Sequence, residues 1–197
     1  MIVSIEGAGT PGGKQIEESL HNAEDEALVG LVREGRREAF DEIDRRYREK
    51  LCRFLARHTT GPEHAEELAQ QALVKAFLSI EKLRCHDRFS GWLYQIAFRL
   101  AVDETRKGRP VQLDLGDAIQ LIDHRTDVAD TPDQTNLWDI ARKILKPDEY
   151  SAIWLKYVDG YKVASIAKIM GRTRVSVRVL LFRARKKLLP ALSREPE

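Results

Sequence analysis

The stretch KVASIAKIMGRTRVSVRVLLFRARKKL, residues 162–188, decides how the chain is read. Val163, Ile166, Ala167 and Met170 recur at the three-and-four spacing that places them on one face of a helix. Gly171 interrupts the run, and Thr173 offers a hydroxyl to cap a second helix, in which Val177 and Leu181 point inward. A small residue facing the partner helix, Ala167, and a glycine at the turn are what two helices need to cross steeply through a tight connection. The second helix also carries Arg174, Ser176, Arg178, Arg183, Arg185, Lys186 and Lys187. In the DNA-binding form of this motif the second helix enters the major groove, its N-terminal residues on base edges and the rest on phosphates. A basic, solvated helix on a plain helical hairpin is the competing reading, because basic faces alone are common.

Charge is segregated around this stretch. The 197-residue chain has a net charge of only +2, but Gly160 to Arg194 holds ten Lys or Arg and no Asp or Glu. Arg109 to Thr135 is the reverse, with six Asp and two Arg. The basic segment suits a polyanion, which the total charge conceals.

Apolar residues recur at helical spacing almost everywhere and period-two alternation is nearly absent, so the expected fold is all-α. The first helix runs over Asp25 to Glu34, with Leu28, Leu31 and Val32 on one face. The second follows Gly35 and carries Phe40, Ile43, Tyr47, Leu51, Phe54 and Leu55. The third opens at TGPE, where Thr60 and Glu63 stand in capping-box register and Pro62 is tolerated in the first turn. Its stripe is Ala65, Leu68, Ala69, Ala72, Leu73, Ala76, Phe77 and Ile80. The fourth, from about Phe89 to Lys107, turns Trp92, Leu93, Ile96, Ala97, Leu100 and Ala101 inward. GRP at 108–110 stops it, and an acidic, weakly periodic stretch follows. Helical spacing resumes near Thr135 with Leu137, Trp138, Ala141, Ile144 and Leu145, then after KPDE with Ile153, Trp154 and Tyr157. The expected organisation is two small helical domains: a flexible tail over 1–22, a four-helix unit over 23–108, an acidic linker over 109–134, and a helix-turn-helix unit over 135–197.

Several other functions are excluded. GAGTPGGKQ, residues 7–15, has Gly13 and Lys14 of a P-loop, but Ala8 stands where its first glycine belongs and Gln15 where its metal-holding hydroxyl belongs. Without a sound P-loop, VQLDLGDAIQLID loses its reading as a strand bearing an acidic metal-holding residue. The glycines of the first stretch then read as spacers in a tail. Cys52 and Cys85 have no Cys-x-x-Cys partner, so neither a zinc site nor a disulfide framework is signalled, and Cys85-His86 reads as coincidence. No apolar run approaches the ~18 residues of a membrane span, and no signal-peptide pattern opens the chain, so the expected location is the cytoplasm. No metal and no cofactor is expected.

A second binding signal lies within 61–107. The third helix turns Glu66, Glu67, Gln70, Gln71 and Lys75 away from the core, as a solubilising face or a docking surface would. LRCHDRFSGWLYQIAFR, which follows, interleaves Arg84, His86, Arg88 and Arg99 with Phe89, Trp92, Tyr94 and Phe98. Cations for the backbone and flat rings for stacking are what unpaired bases require. Phe89 and Trp92 are partly core by spacing. Phe98 falls off the buried stripe, so it either packs on a neighbouring element or stands exposed.

Taken together, HAEELAQQALVKAF, FSGWLYQIAFRLAVDETRK and the helix-turn-helix ending RARKKL resemble an extracytoplasmic-function sigma factor of bacterial RNA polymerase, over about residues 25–190. The resemblance implies a protein without catalytic chemistry. Its first domain would bind the clamp helices of the polymerase largest subunit and open and read the minus-ten promoter element. Its linker would thread toward the active-site cleft, and its second domain would dock on the flap and read the minus-thirty-five element. By position, Glu67, Gln70 and Gln71, with Lys75 beside them, match the core-binding stretch, although the family usually has an acid at Gln71. The loop bearing Arg84, His86 and Arg88 matches the segment that captures a flipped-out base. Phe89, Trp92, Gln95, Phe98, Arg99 and Arg106 belong to the promoter-reading helix. The family commonly has Arg and Asn where this chain has Phe98 and Arg99, and often Arg where it has Gln95. The upstream-element set is Arg172, Thr173, Arg174, Ser176, Arg178, Arg183 and Lys186, with Val179 and Leu180 replacing a family Ser-Arg pair. The implied partners are core RNA polymerase, promoter DNA as duplex and as melted non-template strand, and an anti-sigma factor covering the polymerase-binding surfaces. The alternative is a free-standing helix-turn-helix regulator whose first domain dimerises or senses a ligand.

Overall fold

The computed structural model describes residues 18–83, 89–106 and 132–192. Its helices are α1 (Asp25–Arg33), α2 (Glu38–Leu55), α3 (Pro62–Ser79), α4 (Phe89–Arg106), α5 (Pro132–Ile144), α6 (Pro147–Tyr157), α7 (Val163–Ile169) and α8 (Arg174–Leu192), with a 3-10 turn at Ile80–Lys82 after α3. No strand occurs among the described residues. GAGTPGGKQ and nearly all of the expected linker lie outside them, as does Cys85.

The first unit, α1 to α4, forms where periodicity placed it. Leu28, Val32, Ile43, Leu51, Phe54, Leu55, Leu68, Leu73 and Leu93 are buried together. On α3 the inward residues alternate large and small, with Ala65, Ala69, Ala72 and Ala76 buried between the leucines, so neighbouring helices approach closely. Gly35 takes a φ of 88°, the left-handed conformation that ends α1. Charge joins α1 to α2: Glu42 is held by Arg45 and Arg46 at 2.8 and 2.7 Å, and Arg46 also reaches Asp25 at 3.3 Å. The Arg45 hydrogen bond leads in pulling the Glu42 carboxyl down to about 2, and Arg46 adds to it.

Two local expectations change. Residues 18–22 are helical rather than part of a loose tail, and Leu20 is buried. Arg46 fixes this turn by donating to the carbonyls of Leu20 and His21 at 3.0 and 2.7 Å. Thr60 does not cap α3. The helix starts one residue later, with Gly61 as its extended N-cap and Pro62 in the first turn, and Thr60 Oγ1 lies instead 3.2 Å from His64 Nδ1.

In the second unit, Trp138, Tyr150 and Trp154 form an aromatic cluster, with ring centroids 5.0 Å apart for the tryptophan pair and 6.0 Å for each contact with Tyr150. Glu149 accepts from the Lys146 backbone N–H at 3.0 Å and pairs with Lys187 of α8 at 2.5 Å, fastening the start of α6 to α8. α5 begins at Pro132, so the helical unit starts three residues before Thr135.

The two units pack directly on one another. Arg57 donates to the Leu145 carbonyl at the end of α5 (2.9 Å), and Tyr150 donates to the Arg53 carbonyl (3.1 Å). His58 Nε2 lies 2.7 Å from Ser151 Oγ, and burial holds its imidazole down at about 4, with Arg57 adding to the shift. α7 lies on α4.

Candidate nucleic-acid interface

The helix-turn-helix is built as its sequence requires. Ile166, Ala167 and Met170 of the α7 segment are buried against Val177 and Leu181 of α8. Gly171 adopts φ 61° at the turn, and Thr173 Oγ1 accepts from the Ser176 backbone N–H at 3.1 Å, capping α8. Arg174, Arg178, Arg183 and Lys186 are exposed on α8, and Ser176 is half-buried. Arg172 is exposed too, but its guanidinium pairs with Asp148 at the start of α6. Arg185 stacks over the Tyr157 ring, 5.7 Å from its centroid.

The minus-ten set is only partly brought together. Arg84, His86 and Arg88 lie outside the described residues, as does the Arg106 side chain. Arg99 is exposed, and Trp92 and Gln95 are half-buried. Phe98 is 4% exposed and does not stand free for a base; its ring meets His58 edge-on at 5.7 Å. Phe89 is likewise buried, edge-on to Tyr47, so it too is withdrawn from DNA contact. Tyr94, among the interleaved aromatics, is fully buried and donates to Asp159 Oδ1 at 3.1 Å. Burial there raises the Asp159 carboxyl to about 6. Phe89 shares the face of Leu93 and Ala97, whereas Tyr94 and Phe98 lie on a second buried face of α4. One face, through Leu93, Ala97 and Ala101, joins the first unit's core. The other sets Phe98 against His58 and Tyr94 against Asp159 and Tyr161 of the second unit.

That same contact engages Gln95, one of the residues expected to read the promoter, and Ser90 near the start of α4. Gln95 Nε2 donates to the Lys168 carbonyl on α7 at 3.0 Å, and Tyr161 donates to Ser90 Oγ at 2.6 Å. Gly91 lies beneath this contact, where a Cβ would meet the Tyr161 ring and Ile169 at the ordinary van der Waals distances of 3.8 to 3.9 Å.

On α3, Glu67, Gln70, Gln71 and Lys75 are all exposed, with Gln71 donating to Glu67 at 3.2 Å. Sequence reasoning missed the apolar half of this face. Val74 is 50% and Leu78 76% exposed, beside a partly exposed Phe77 whose ring packs on Phe40. Their signal was position: both fall between the polar residues, off the buried stripe. An exposed apolar ridge among polar residues is the pattern of a protein-docking surface.

A cleft of about 590 Å³ runs between the units, with Val102, Val179 and Leu180 among its apolar walls and Lys146, Arg172 and Arg183 among its cations. Among the described residues no cluster of His, Cys, Asp or Glu is placed to hold a metal ion, and no helix is long and apolar enough to cross a membrane. Burial raises the Cys52 thiol to about 11, far from the range of a reactive thiolate.

Comparison with known proteins agrees with this geometry. The family models described as Sigma-70 region 2 and Sigma-70, region 4 match residues 43–110 and 144–188. The ECF RNA polymerase sigma-E factor of Haemophilus influenzae is 33% identical over 175 residues, covering 82% of this chain and 92% of that protein. The ECF RNA polymerase sigma factor SigW of Bacillus subtilis is 30% identical over 172 residues, covering 81% and 92%. Among solved structures, the sigma factor RpoE in complex with the anti-sigma factor NepR from Bartonella quintana shares the fold at a TM-score of 0.61 and 23% identity, covering 80% of this chain and 98% of that one. CnrH in complex with the cytosolic domain of CnrY gives a TM-score of 0.61 at 19% identity, covering 86% and 97%.

Proposed function

The chain belongs to the extracytoplasmic-function sigma factors of the sigma-70 family, RNA polymerase subunits that direct the core enzyme to promoters, and we propose how its residues divide that work. The ridge of α3, Glu67, Gln70, Gln71, Val74, Lys75 and Leu78, docks on core polymerase. The exposed part of α4, Gln95 and Arg99 with the edge of Trp92, reads the minus-ten element together with the loop bearing Arg84, His86 and Arg88. Arg174, Ser176, Arg178, Arg183 and Lys186 of α8 engage the minus-thirty-five duplex. The capped helix-turn-helix with its exposed basic helix carries this reading.

The protein works by binding rather than by catalysis. Phosphate contacts supply salt-sensitive affinity, base contacts supply selection, and the cost of unpairing is offset by stacking and by polymerase binding. Its site of action is the cytoplasm, where polymerase meets DNA. An anti-sigma factor covering the α3 ridge and α8 would keep the protein from polymerase. Because Gln95 and Ser90 are engaged by the second domain, reading the minus-ten element requires α7 to leave α4. A dye pair on α4 and α7 should therefore lose energy transfer in the promoter complex, and retained transfer there contradicts this step.

The docking assignment is tested by gel filtration with core polymerase. The protein should co-elute with the core enzyme, and a helical protein of similar size should not. Elution apart from polymerase at micromolar concentrations would overturn the assignment.

A further inference from the structure

Val177, Leu181, Ala184 and Leu188 turn α8 inward, so the helical period sets Val175, Val179, Phe182 and Lys186 on its opposite side. The apex of the recognition helix is thus apolar: Val175 is 66%, Val179 40% and Phe182 67% exposed. Val179, with Ser176 and Arg183, also lines the cleft toward the first unit, so this side of α8 meets DNA once the units part. Helix formation does not explain the valines, since β-branched residues slightly disfavour helices. Arg174 and Arg178 flank this ridge on one side, Ser176 and Arg183 on the other, and no acid occurs from Gly160 to Arg194. Cations on both flanks match the two phosphate walls of a major groove, and the ridge between them would meet the groove floor. The thymine 5-methyl is the apolar group that floor offers, and short side chains at the N-terminal end of a recognition helix reach it.

We propose that Val175 and Val179 are specificity-determining residues that pack on thymine methyl groups of the upstream promoter element. This rests on the sigma-factor reading above and adds to it a base preference carried by apolar contact rather than by the arginines. Ala at either position keeps the helix and removes the contact, so folding is preserved.

The test uses holoenzyme and a promoter that it transcribes, with each upstream-element thymine replaced singly by uracil, which lacks only the methyl. Uracil at one or two positions should weaken promoter binding about fourfold per methyl, the effect of losing one buried carbon. Val175→Ala or Val179→Ala should abolish sensitivity at its own position while leaving the others unchanged. If uracil is neutral at every position, or the upstream element holds no thymine where α8 binds, the proposal is wrong although the sigma function stands. If Val175→Asp and Val179→Asp lower affinity for core polymerase while uracil remains neutral, the ridge is a protein contact and the proposal also fails. Failure to form a promoter-selective holoenzyme at all would instead overturn the reading beneath it.

Discussion

Phe98 shows what a single residue can conceal. By the period of α4 it falls off the buried stripe, and by resemblance it belongs to the promoter-reading set, yet it is buried against His58. The ring it meets, His58, follows α2 in the chain and is itself joined to Ser151 of the second domain, and no spacing within α4 records that. Phe98→Ala should therefore cost about 3–5 kcal/mol of stability, as loss of a buried ring does. Thermal unfolding checks this, and an unchanged melting temperature with impaired promoter opening would return the ring to the DNA. Leu93, Ala97 and Ala101, by contrast, were legible because they pack within their own unit.

At the scale of elements, the helix-turn-helix was readable almost residue by residue. Its inward positions, glycine turn and Thr173 cap are all encoded between Val163 and Leu181. The start of α3 was not: the capping-box register of TGPE makes Thr60 the N-cap, whereas the backbone is extended at Gly61 and the helix begins at Pro62. The docking ridge on α3 was half legible: polar residues announced an outward face, while Val74 and Leu78 between and beyond them drew no reading. Both are exposed, so Val74→Asp with Leu78→Asp should leave the melting temperature within a few degrees and weaken core binding about tenfold or more, as loss of an interface anchor does. Fluorescence anisotropy against core polymerase measures it, and undiminished binding would move the docking surface elsewhere. On α8, Arg178→Ala should weaken upstream-element binding by roughly 1–3 kcal/mol if the guanidinium reads a base bidentately. An equal loss on every duplex would make Arg178 a phosphate contact.

At the scale of the whole molecule, the domain contact carries a buried and a half-buried titratable group whose pH effects oppose each other. His58 is held down at about 4 from 6.5, so its contribution to folding is complete above pH 6.5 and is lost as pH falls toward 4. Asp159 is raised to about 6 from 3.8, so its contribution is complete below pH 3.8 and is lost as pH rises through 6. Arg57 faces His58, and Tyr94 and Lys50 face Asp159. Between pH 4 and 6 the two slopes offset one another. Asp159→Asn should expose the His58 slope, making urea stability fall more steeply than in the parent protein on acidification from pH 6.5 to 4. His58→Gln should do the reverse, and identical profiles for the three proteins would mean that neither group is buried by domain packing. Charge segregation announced two functional halves, but their close packing was invisible in sequence, because its hydrogen bonds join residues 65 to 97 positions apart.

Run-off transcription with purified core polymerase on a fragmented genomic library is the most direct test of the central claim. The protein should direct discrete transcripts from a limited set of promoters that core polymerase alone does not use, each with a common upstream and minus-ten element. A transcript pattern identical to that of core polymerase alone would contradict the account.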